Sequence, residues 1–514
     1  MMNKVLPFIL ILLVIFLVNK ENSNKMENSS DKINYILNQV YENYVDSIDM
    51  ESLIESSIQQ TLTNLDPHSV YMNKDEVNSS MVMMQGSFEG IGVEFSIHRD
   101  TIVIVNVIPE GPSEKEGLIA GERIVSIEDE SVAGIGITNQ EVIKRLRGEG
   151  GTKVKIGVKN KRDTMIRVVN IIRGKIPLRS LDVAYEIFPG IGYIKLNRFA
   201  STTFKEFKTE LESLVEEHTI ESLILDLRGN TGGYLDQAIK ILNEFFENDK
   251  LLVYTYGKSR KEQKYFSNSF GLFKNGKLSI LIDEGSASAS EIIAGAIQDH
   301  DRGFIVGERS FGKGLVQEQI PLSDGSLIRL TVSRYYTPLG RCIQKPYDDR
   351  NEEYFSEVYN RVNVPNIDTL EKFTTKSGKT VYAGGGIMPD YQVISNHDSL
   401  PTSLVYLYTS DFFDDLAFDY VDVNRNIPKD FSNFQITEKQ KNDILSSIKD
   451  WIILEIGDAD NNTKLIEEIE KNKIQLINRF SALIIRQRWG WAEMQMFLNE
   501  NDEVISTSLS LLKN

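Results

Sequence analysis

The chain has 514 residues, of which 41% are apolar and 25% charged, values typical of folded globular protein and not of disordered or fibrous chains. A chain of this length is expected to form two to four domains. The 57 basic and 74 acidic residues give a net charge of −17, and no long Lys/Arg run is present, so nucleic acid is not expected as a partner.

The N-terminal segment predicts export from the cytoplasm. Lys4 precedes an unbroken apolar run from Val5 to Val18, and a polar stretch follows, as in a secretory signal. The run is shorter than the roughly 20 residues that span a bilayer comfortably, but the small-residue cleavage pattern after it is poor. A cleaved signal peptide and an uncleaved signal anchor over residues 1–20 therefore both stay open. The single cysteine, Cys342, neither requires nor excludes an oxidising compartment.

The next two regions differ in the period of their apolar residues. In residues 31–85, apolar residues recur every three or four positions, as from Ile33 to Val40, which predicts a small amphipathic helical region. Residues 86–172 instead contain short β-rich runs separated by glycine and proline turns, with one helix from Asn139 to Leu146. We expect this second region to be a compact β-domain.

The order of features within the β-domain is specific. A glycine-flanked strand start, Gly90-Ile91-Gly92-Val93, is followed by the phrase GLIAGERIVSI, then by the helix and the strand GTKVKI. This order resembles a PDZ domain of the bacterial protease-associated type. Such a domain binds an extended peptide as an added strand, while a loop of backbone N–H groups captures the terminal carboxylate. The resemblance implies that Gly90, Ile91, Gly92 and Val93 form this peptide-binding loop, although the glycines taken alone favour a simple hairpin turn or bulge.

Beyond residue 173, strands and helices alternate, which is typical of α/β architecture. The predicted strand Leu278 to Asp283 runs into GSASASE and then into a helix, so Ser288 is predicted at a strand-to-helix junction. This position suits a nucleophile, because the free N–H groups of the helix stabilise negative charge on oxygen. The segment from Ser288 to Glu291 also fits the capping-box pattern, so a purely structural role is the alternative.

The segment FGKGLVQ offers a base for this serine. It places Lys313 between two glycines and Gln317 four residues further on. A lysine base must be neutral and must come within about 3 Å of the serine hydroxyl. Burial and a nearby helix N-terminus both lower the lysine pKa from about 10.4, and Gln317 could accept a lysine N–H and orient its lone pair. Most lysines are solvated surface charges, so a surface role for Lys313 is the alternative.

A serine–histidine–aspartate triad is a minor alternative. The predicted positions of the histidines give none of them access to Ser288, and His300 ends the helix that Ser288 begins, roughly 17 Å away. The histidines are His68, His98, His218, His300 and His397.

Nucleotide binding is a remote alternative. The segment GERSFGKG is close to a phosphate-binding loop of the P-loop type. However, Gly314 replaces the hydroxyl residue that should bind magnesium, and the residues that follow resemble a strand more than the required helix.

Seven motifs carry a resemblance to one family. In chain order they are LDPHSVYM, GSFEGIGVEF, LDLRGNTGG, GSASASE, FGKGLVQ, YYTPLGRCIQ and GGGIMPD. Over most of residues 31–400 the chain is similar to the carboxy-terminal processing, or tail-specific, serine peptidases. The resemblance implies a multidomain α/β protein with a crotonase-like serine protease core at residues 173–397, an inserted PDZ-like domain, and helical N- and C-terminal regions. It also implies that Ser288 is the nucleophile, that Lys313 is the general base and that Gln317 orients it.

The same resemblance supplies the rest of the site and its use. The N–H of Ala289 and one N–H from Gly232 or Gly233 would form the oxyanion hole. Asp226 and Arg228 are expected to hold the RGNTGG loop and not to do chemistry. The implied activity is endopeptidase cleavage through an acyl-enzyme, with no cofactor and no metal.

The implied partners are protein or peptide substrates whose free apolar C-termini bind the PDZ-like domain. A regulatory adaptor is a further expected partner, and the N-terminal segment suggests membrane association. The expected location is the bacterial periplasm or cell envelope, either free or anchored to the inner membrane. An exported PDZ adaptor without activity is the non-enzymatic alternative, although the joint presence of Ser288, Lys313 and Gln317 argues against it.

Two segments depart from the compact family pattern. A polar insertion at residues 345–383 either covers the cleft or extends a surface loop. Residues 398–514 form a mostly helical C-terminal region, in which apolar residues such as Leu476, Phe480 and Leu483 recur at helical spacing. Apolar helices at both ends of the chain suggest a homodimer, while packing onto the protein's own core is comparably compatible with the sequence.

Overall fold

The computed structural model describes residues 31–160, 165–347, 351–357, 370–394, 404, 407, 410, 412–424, 431–456 and 466–513. The predicted export segment, residues 1–20, lies outside these ranges. No helix within them is long and apolar enough to cross a membrane. The chain divides into two compact units, one of residues 1–73 with 319–330 and one of residues 74–318 with 331–514.

The first unit contains two helices and a short strand pair. Helix α1 covers residues 31–43, α2 covers Met50–Thr63, and β1 covers Val70–Met72, which pairs antiparallel with residues 327–329. The α2 helix begins at Asp49, whose carboxylate accepts the first free N–H groups of the helix. Large apolar side chains of α1 remain exposed, among them Ile33 and Ile36.

The second unit holds the remaining elements. Its strands are β2 Ser87–Gly90, β3 Val93–His98, β4 Thr101–Val107, β5 Arg123–Ile127, β6 Glu130–Ser131, β7 Lys153–Lys159, β8 Arg167–Ile172, β9 Gly174–Pro177, β10 Leu181–Phe188, β11 Ile191–Leu196, β12 Ser222–Asp226, β13 Leu251–Gly257, β14 Arg260–Phe266, β15 Lys277–Ile282, β16 Phe304–Gly307, β17 Leu315–Pro321, β18 Leu327–Tyr336 (which begins in the first unit), β19 Lys372–Thr374, β20 Thr380–Tyr382 and β21 Tyr391–Gln392. Its helices are α3 Lys74–Gln85, α4 Pro112–Lys115, α5 Asn139–Leu146, α6 Thr203–Glu216, α7 Leu235–Asn243, α8 Ala289–Asp299, α9 Asn351–Ser356, α10 Phe412–Val423, α11 Glu438–Ile456, α12 Lys473–Arg488, α13 Trp491–Asn499 and α14 Glu503–Lys513.

A six-stranded sheet forms the centre of the second unit. Its order is β10-β11-β12-β15-β16-β21, and only β10 runs antiparallel to its neighbour. Successive residues of a strand point to opposite faces. Leu223 and Leu225 accordingly pack with α6, α7 and α8, whereas Ile224 packs with Val504 and Ile505 of α14 on the other face. The C-terminal helix thus packs on the chain's own core, one of the two alternatives that the sequence left open for this end.

The β-domain has a separate sheet and core. Strands β3-β4-β5-β7-β8 form the sheet, β6 pairs with β5, and α5 packs its Val142 and Leu146 into the core. Within the described residues, β3 pairs only with β4 and is therefore an edge strand. The chain enters and leaves this domain through an antiparallel ribbon of β2 and β9.

Helix α10 covers the outer face of this sheet. Phe418 of α10 stacks on His98 with ring centroids 4.1 Å apart, and Asp422 forms two hydrogen bonds of 2.9 and 3.2 Å with Arg123. Arg123 and Asp422 are both buried. Val103 and Phe418 line one cavity of about 250 Å³ between the sheet and the helix. The C-terminal region therefore contacts the β-domain as well as the central sheet.

Candidate active site

Ser288 lies at the turn between β15 and α8, as predicted. Its backbone has φ 55° and ψ −110°, a combination that residues other than glycine rarely adopt. Ala287 and Ala289 on either side are buried, while Ser288 is only partly buried. A strained strand-to-helix turn of this kind holds a serine side chain out of the core, where it can reach a substrate.

The two flanking serines hold this turn in place. The Ser286 hydroxyl donates to the Leu227 carbonyl at 2.8 Å, and the Ser290 hydroxyl donates to the Asn230 carbonyl at 2.8 Å. Both side chains are fully buried. These bonds anchor Ser286 and Ser290 within the turn, whereas Ser288 is the one serine of the three that is partly exposed.

A buried carboxylate, Glu291, joins the serine turn to the lysine loop. Its Oε2 accepts the N–H of Ser288 at 2.8 Å and the N–H of Lys313 at 2.9 Å. Its Oε1 accepts the Ser310 hydroxyl at 2.6 Å and the N–H of Gly312 at 2.7 Å. Burial raises the pKa of Glu291 to about 7, although these four hydrogen bonds act in the opposite direction. The backbones of the predicted nucleophile and base are thus linked through one oxygen atom.

A tyrosine makes a second link between the same two segments. The Tyr335 hydroxyl lies 2.6 Å from the carbonyl of Lys313 and 3.1 Å from the carbonyl of Ser288. The Tyr335 N–H also donates to the Gly314 carbonyl at 3.0 Å. Burial raises the pKa of Tyr335 well above its usual value, so this hydroxyl stays a donor at neutral pH.

Gln317 lies on β17, directly after the lysine loop. Its Nε2 donates to the Thr331 hydroxyl on the neighbouring β18 at 3.4 Å. This bond uses only the nitrogen of the amide, and the Oε1 is not part of it. Both Lys313 and Gln317 are partly buried. Because Gly314 is followed by a strand, the helix that a phosphate-binding loop requires is absent at this place in the described chain.

The RGNTGG loop is anchored below the serine turn. The Asp226 carboxylate accepts hydrogen bonds from the Arg228 guanidinium and, at 2.7 Å, from the Tyr193 hydroxyl. Burial raises the pKa of Asp226, but the Arg228 guanidinium and the Lys195 ammonium outweigh burial and hold it below its usual value. The carboxylate is therefore charged and fully paired. This geometry suits the expected role of Asp226 and Arg228 in holding the loop.

The two glycines of this loop have different neighbours: Gly232 lies against the serine turn, and Gly233 lies against the backbone of Phe199. A Cβ on Gly232, whose φ is +99°, would fall 2.8 Å from the Ser288 Cβ and 3.0 Å from the Ala289 nitrogen, so only glycine fits there. The Gly232 N–H donates to the Asn230 side chain at 2.9 Å. The Phe199 N–H donates to the Gly232 carbonyl, and the Tyr234 N–H donates to the Phe199 carbonyl. The Gly233 N–H takes part in neither of these two bonds.

In the peptide-binding loop predicted from Gly90 to Val93, the first residue ends β2 and the last begins β3. Ile91 is buried in the core of the β-domain, and its carbonyl accepts the Ser113 N–H at 3.0 Å. Gly92 has a φ of +78°, which favours glycine. The loop therefore lies at the start of the edge strand β3.

The histidines of the second unit have other partners. His98 contacts Asp415 at 2.5 Å, His218 lies 3.5 Å from Glu186, and His300 lies 2.7 Å from the Leu251 carbonyl. None of these contacts involves Ser288. His68 belongs to the first unit, and His397 lies outside the described residues.

Two connecting residues were not predicted from the sequence. The sequence predicts Glu291 only as a helix cap and Tyr335 only as part of the YYTPLGRCIQ motif. The signal for Glu291 was present, because its position at the third residue of α8 directs a capping carboxylate toward the nitrogen of Ser288. Nothing in the sequence indicated that the same carboxylate also binds the lysine loop.

Family models match three parts of the chain. The model of peptidase family S41 matches residues 190–349, a PDZ-domain model matches residues 103–160, and a model of the activating protease CtpB N-terminal domain matches residues 16–76.

Curated relatives match over longer stretches. The carboxy-terminal processing protease CtpB of Bacillus subtilis is 36% identical over 325 residues, which cover 63% of this chain and 67% of that protein. The carboxy-terminal-processing protease of Bartonella bacilliformis is 35% identical over 313 residues, covering 60% of this chain and 71% of that protein.

Among solved structures, the photosystem II D1 C-terminal processing protease is 25% identical with a TM-score of 0.37, and the match covers 74% of this chain and 91% of that one. The PDZ domain of a carboxy-terminal protease from Vibrio cholerae, solved in complex with peptide, is 31% identical with a TM-score of 0.17. It covers 18% of this chain and 99% of that one.

Proposed function

Because this chain belongs to peptidase family S41 and is a serine-type peptidase, we propose that it is an endopeptidase with Ser288 as nucleophile and Lys313 as general base. The observation that carries the proposal is the pair of hydrogen bonds to Glu291 Oε2, which ties the backbones of these two residues to one oxygen atom. A base must lie close to the hydroxyl that it deprotonates. Two backbones fixed to a common oxygen support such proximity, and no histidine is needed for it.

The proposed reaction proceeds through an acyl-enzyme. The neutral amine of Lys313 accepts the Ser288 hydroxyl proton as the oxygen attacks the scissile carbonyl, and the lysinium then protonates the departing amine. The N–H groups of Ala289 and Gly233 stabilise the oxyanion. We favour Gly233 over Gly232 because the Gly232 N–H already donates to Asn230. Water then hydrolyses the ester, with Lys313 again accepting a proton, while the Gln317 Oε1 orients the amine.

In this proposal the PDZ domain selects the substrate. The edge strand β3 offers unpaired backbone groups to an extended peptide, and the loop from Gly90 to Val93 lies at the start of that strand. A substrate with a free apolar C-terminus would add to β3 as a further strand. Cleavage would therefore depend on the tail as well as on the scissile bond.

The test measures cleavage of an internally quenched peptide that ends in a free apolar carboxylate. We expect turnover by the wild type, none by Ser288→Ala or Lys313→Ala, and a smaller loss for Gln317→Ala. Amidation of the peptide's C-terminus should raise KM with little change in kcat. Equal turnover by all four proteins would refute the Ser–Lys assignment, whereas tail-dependent binding without turnover in any of them would favour the inactive adaptor. Release of phosphate from ATP would instead support nucleotide binding.

The cellular setting and assembly are part of the same proposal. Residues 1–20 would direct export to the periplasm or cell envelope, where the enzyme would encounter its substrates and a regulatory adaptor.

The exposed apolar residues of α1, including Ile33 and Ile36, would pair two copies of the chain, since a stripe of this kind is unfavourable in water. Sedimentation should show a dimer that the double change Ile33→Asp and Ile36→Asp converts to a monomer without loss of helix content. A monomeric wild type would exclude this pairing.

A further inference from the structure

The insertion at residues 345–383 contacts the loop that carries Lys313. Within its described part, helix α9 packs its Tyr354 ring against Phe311 of that loop, with ring centroids 5.7 Å apart and the planes near perpendicular. Tyr354 is 5% exposed. The neighbouring Phe355 also contacts Phe311, at 6.4 Å between centroids. The insertion therefore does more than extend a surface loop.

Lys345, the first residue of the insertion, fixes this contact. Its ammonium is 3% exposed and lies 4.2 Å from the centre of the Phe311 ring and 4.3 Å from that of Tyr354. It donates to the Tyr354 carbonyl at 2.6 Å and pairs with Glu357 at 2.9 Å. A buried ammonium needs such partners, because an unpaired charge in this position is costly. Its own N–H donates to the Gly312 carbonyl at 2.9 Å.

Gln344 links Tyr354 of the insertion to Gly314, the residue after Lys313. The Gln344 Oε1 accepts the Gly314 N–H at 2.8 Å, and its Nε2 donates to the Tyr354 hydroxyl at 3.1 Å. Gly312 and Gly314, on either side of Lys313, are therefore both bonded to this short stretch. With the bond from the Lys313 N–H to Glu291, three consecutive backbone positions are fixed from two directions.

We propose that Lys345 and Tyr354 are positioning residues for the reaction, and that they hold the loop of residues 311–314 so that the Lys313 amine meets the Ser288 hydroxyl. This inference rests on the proposed function, in which Lys313 is the general base. The substrate does not contact either residue in this account. Their effect passes through Phe311, Gly312 and Gln344 to the lysine.

The test compares Tyr354→Phe and Lys345→Met with a matched control, Tyr420→Phe, in the full chain. Tyr420 of α10 also accepts a glutamine amide, that of Gln440, but lies in the C-terminal helical region. Tyr354→Phe removes one hydrogen bond and should lower kcat about 3- to 10-fold with KM within about twofold. Lys345→Met removes the ammonium and should lower kcat further. Tyr420→Phe should leave kcat unchanged.

The pH profile separates positioning from a merely structural role. A loosened loop exposes the Lys313 amine to water, which favours its charged form, so the acid limb of kcat/KM should move to higher pH in both variants. Partial unfolding would lower the amount of active protein and leave the position of that limb unchanged. The inference fails if kcat and the limb match wild type in Tyr354→Phe and Lys345→Met while Lys313→Ala is inactive. Wild-type activity in Lys313→Ala would instead refute the proposed function on which the inference rests.

Discussion

Replacing Glu291 with glutamine should uncouple the serine turn from the lysine loop. Each carboxylate oxygen accepts two hydrogen bonds, Oε2 from the N–H groups of Ser288 and Lys313, and Oε1 from the Ser310 hydroxyl and the Gly312 N–H. In Glu291→Gln one oxygen becomes an NH₂ group, which cannot accept these bonds. Whichever way the amide is turned, two buried donors lose their acceptor.

The expected loss of stability follows from the two buried donors that are left without an acceptor. A buried donor left without a partner costs about 1–3 kcal/mol, so two of them should lower the free energy of unfolding by about 2–4 kcal/mol after some local relaxation. If the amide NH₂ faces Ser288 and Lys313, those backbones also separate. A misplacement of about 1 Å in an active site lowers the rate about 100-fold. We therefore expect kcat to fall by about this factor, with a smaller change in KM.

The assay measures kcat with the quenched peptide and follows urea unfolding by circular dichroism. Glu141→Gln is the matched control, because Glu141 occupies the same third position of α5 in a capping box with Thr138 but is exposed. That control should leave both the unfolding midpoint and kcat unchanged. Wild-type stability and kcat in Glu291→Gln would refute the view that this carboxylate holds the two segments together.

Two further outcomes are expected. Gly232→Ala should fold but lower kcat/KM about 100-fold, because its Cβ would fall 2.8 Å from the Ser288 Cβ; full activity would show that the turn tolerates the shift. Asp422→Ala should destabilise the protein by about 3–5 kcal/mol in urea unfolding, because it leaves Arg123 buried without its carboxylate, and adding Arg123→Met should recover most of the loss; a double variant no better than the single one would argue against the ion pair.

Local patterns predicted the elements that carry the site. The helix predicted from Asn139 to Leu146 is α5, with its capping box formed, and Ser288 lies at a strand-to-helix turn as expected. These features depend on helix caps and apolar periodicity, which are determined by residues close together in the sequence. The family assignment and the serine-type peptidase activity are also confirmed, by the S41 family model and by the carboxy-terminal processing proteases that the chain resembles. The crotonase-like classification of the core, the domain limits and the roles of the individual site residues stay predictions.

Contacts between distant segments were not predictable in the same way. The apolar run Ile102-Val103-Ile104 in β4 is buried on both faces, a pattern typical of a strand covered on two sides. It indicates a cover on the outer face but does not identify α10, which lies some 300 residues further along the chain. Similarly, the composition of the insertion gave no sign that Tyr354 would reach Phe311. Such pairings depend on tertiary packing, for which one sequence carries no local signal.

The PDZ domain is held at two places, the β2–β9 ribbon through which the chain enters and leaves, and helix α10 of the C-terminal region. Any rotation of the domain about the ribbon must pull Phe418 away from His98 and expose the Arg123–Asp422 pair. The more exposed ion pair between Arg99 and Asp419 is screened by salt, whereas the buried pair is screened much less. A region that none of the three family models covers therefore sets the free-energy cost of moving the PDZ domain, and part of that cost varies with ionic strength.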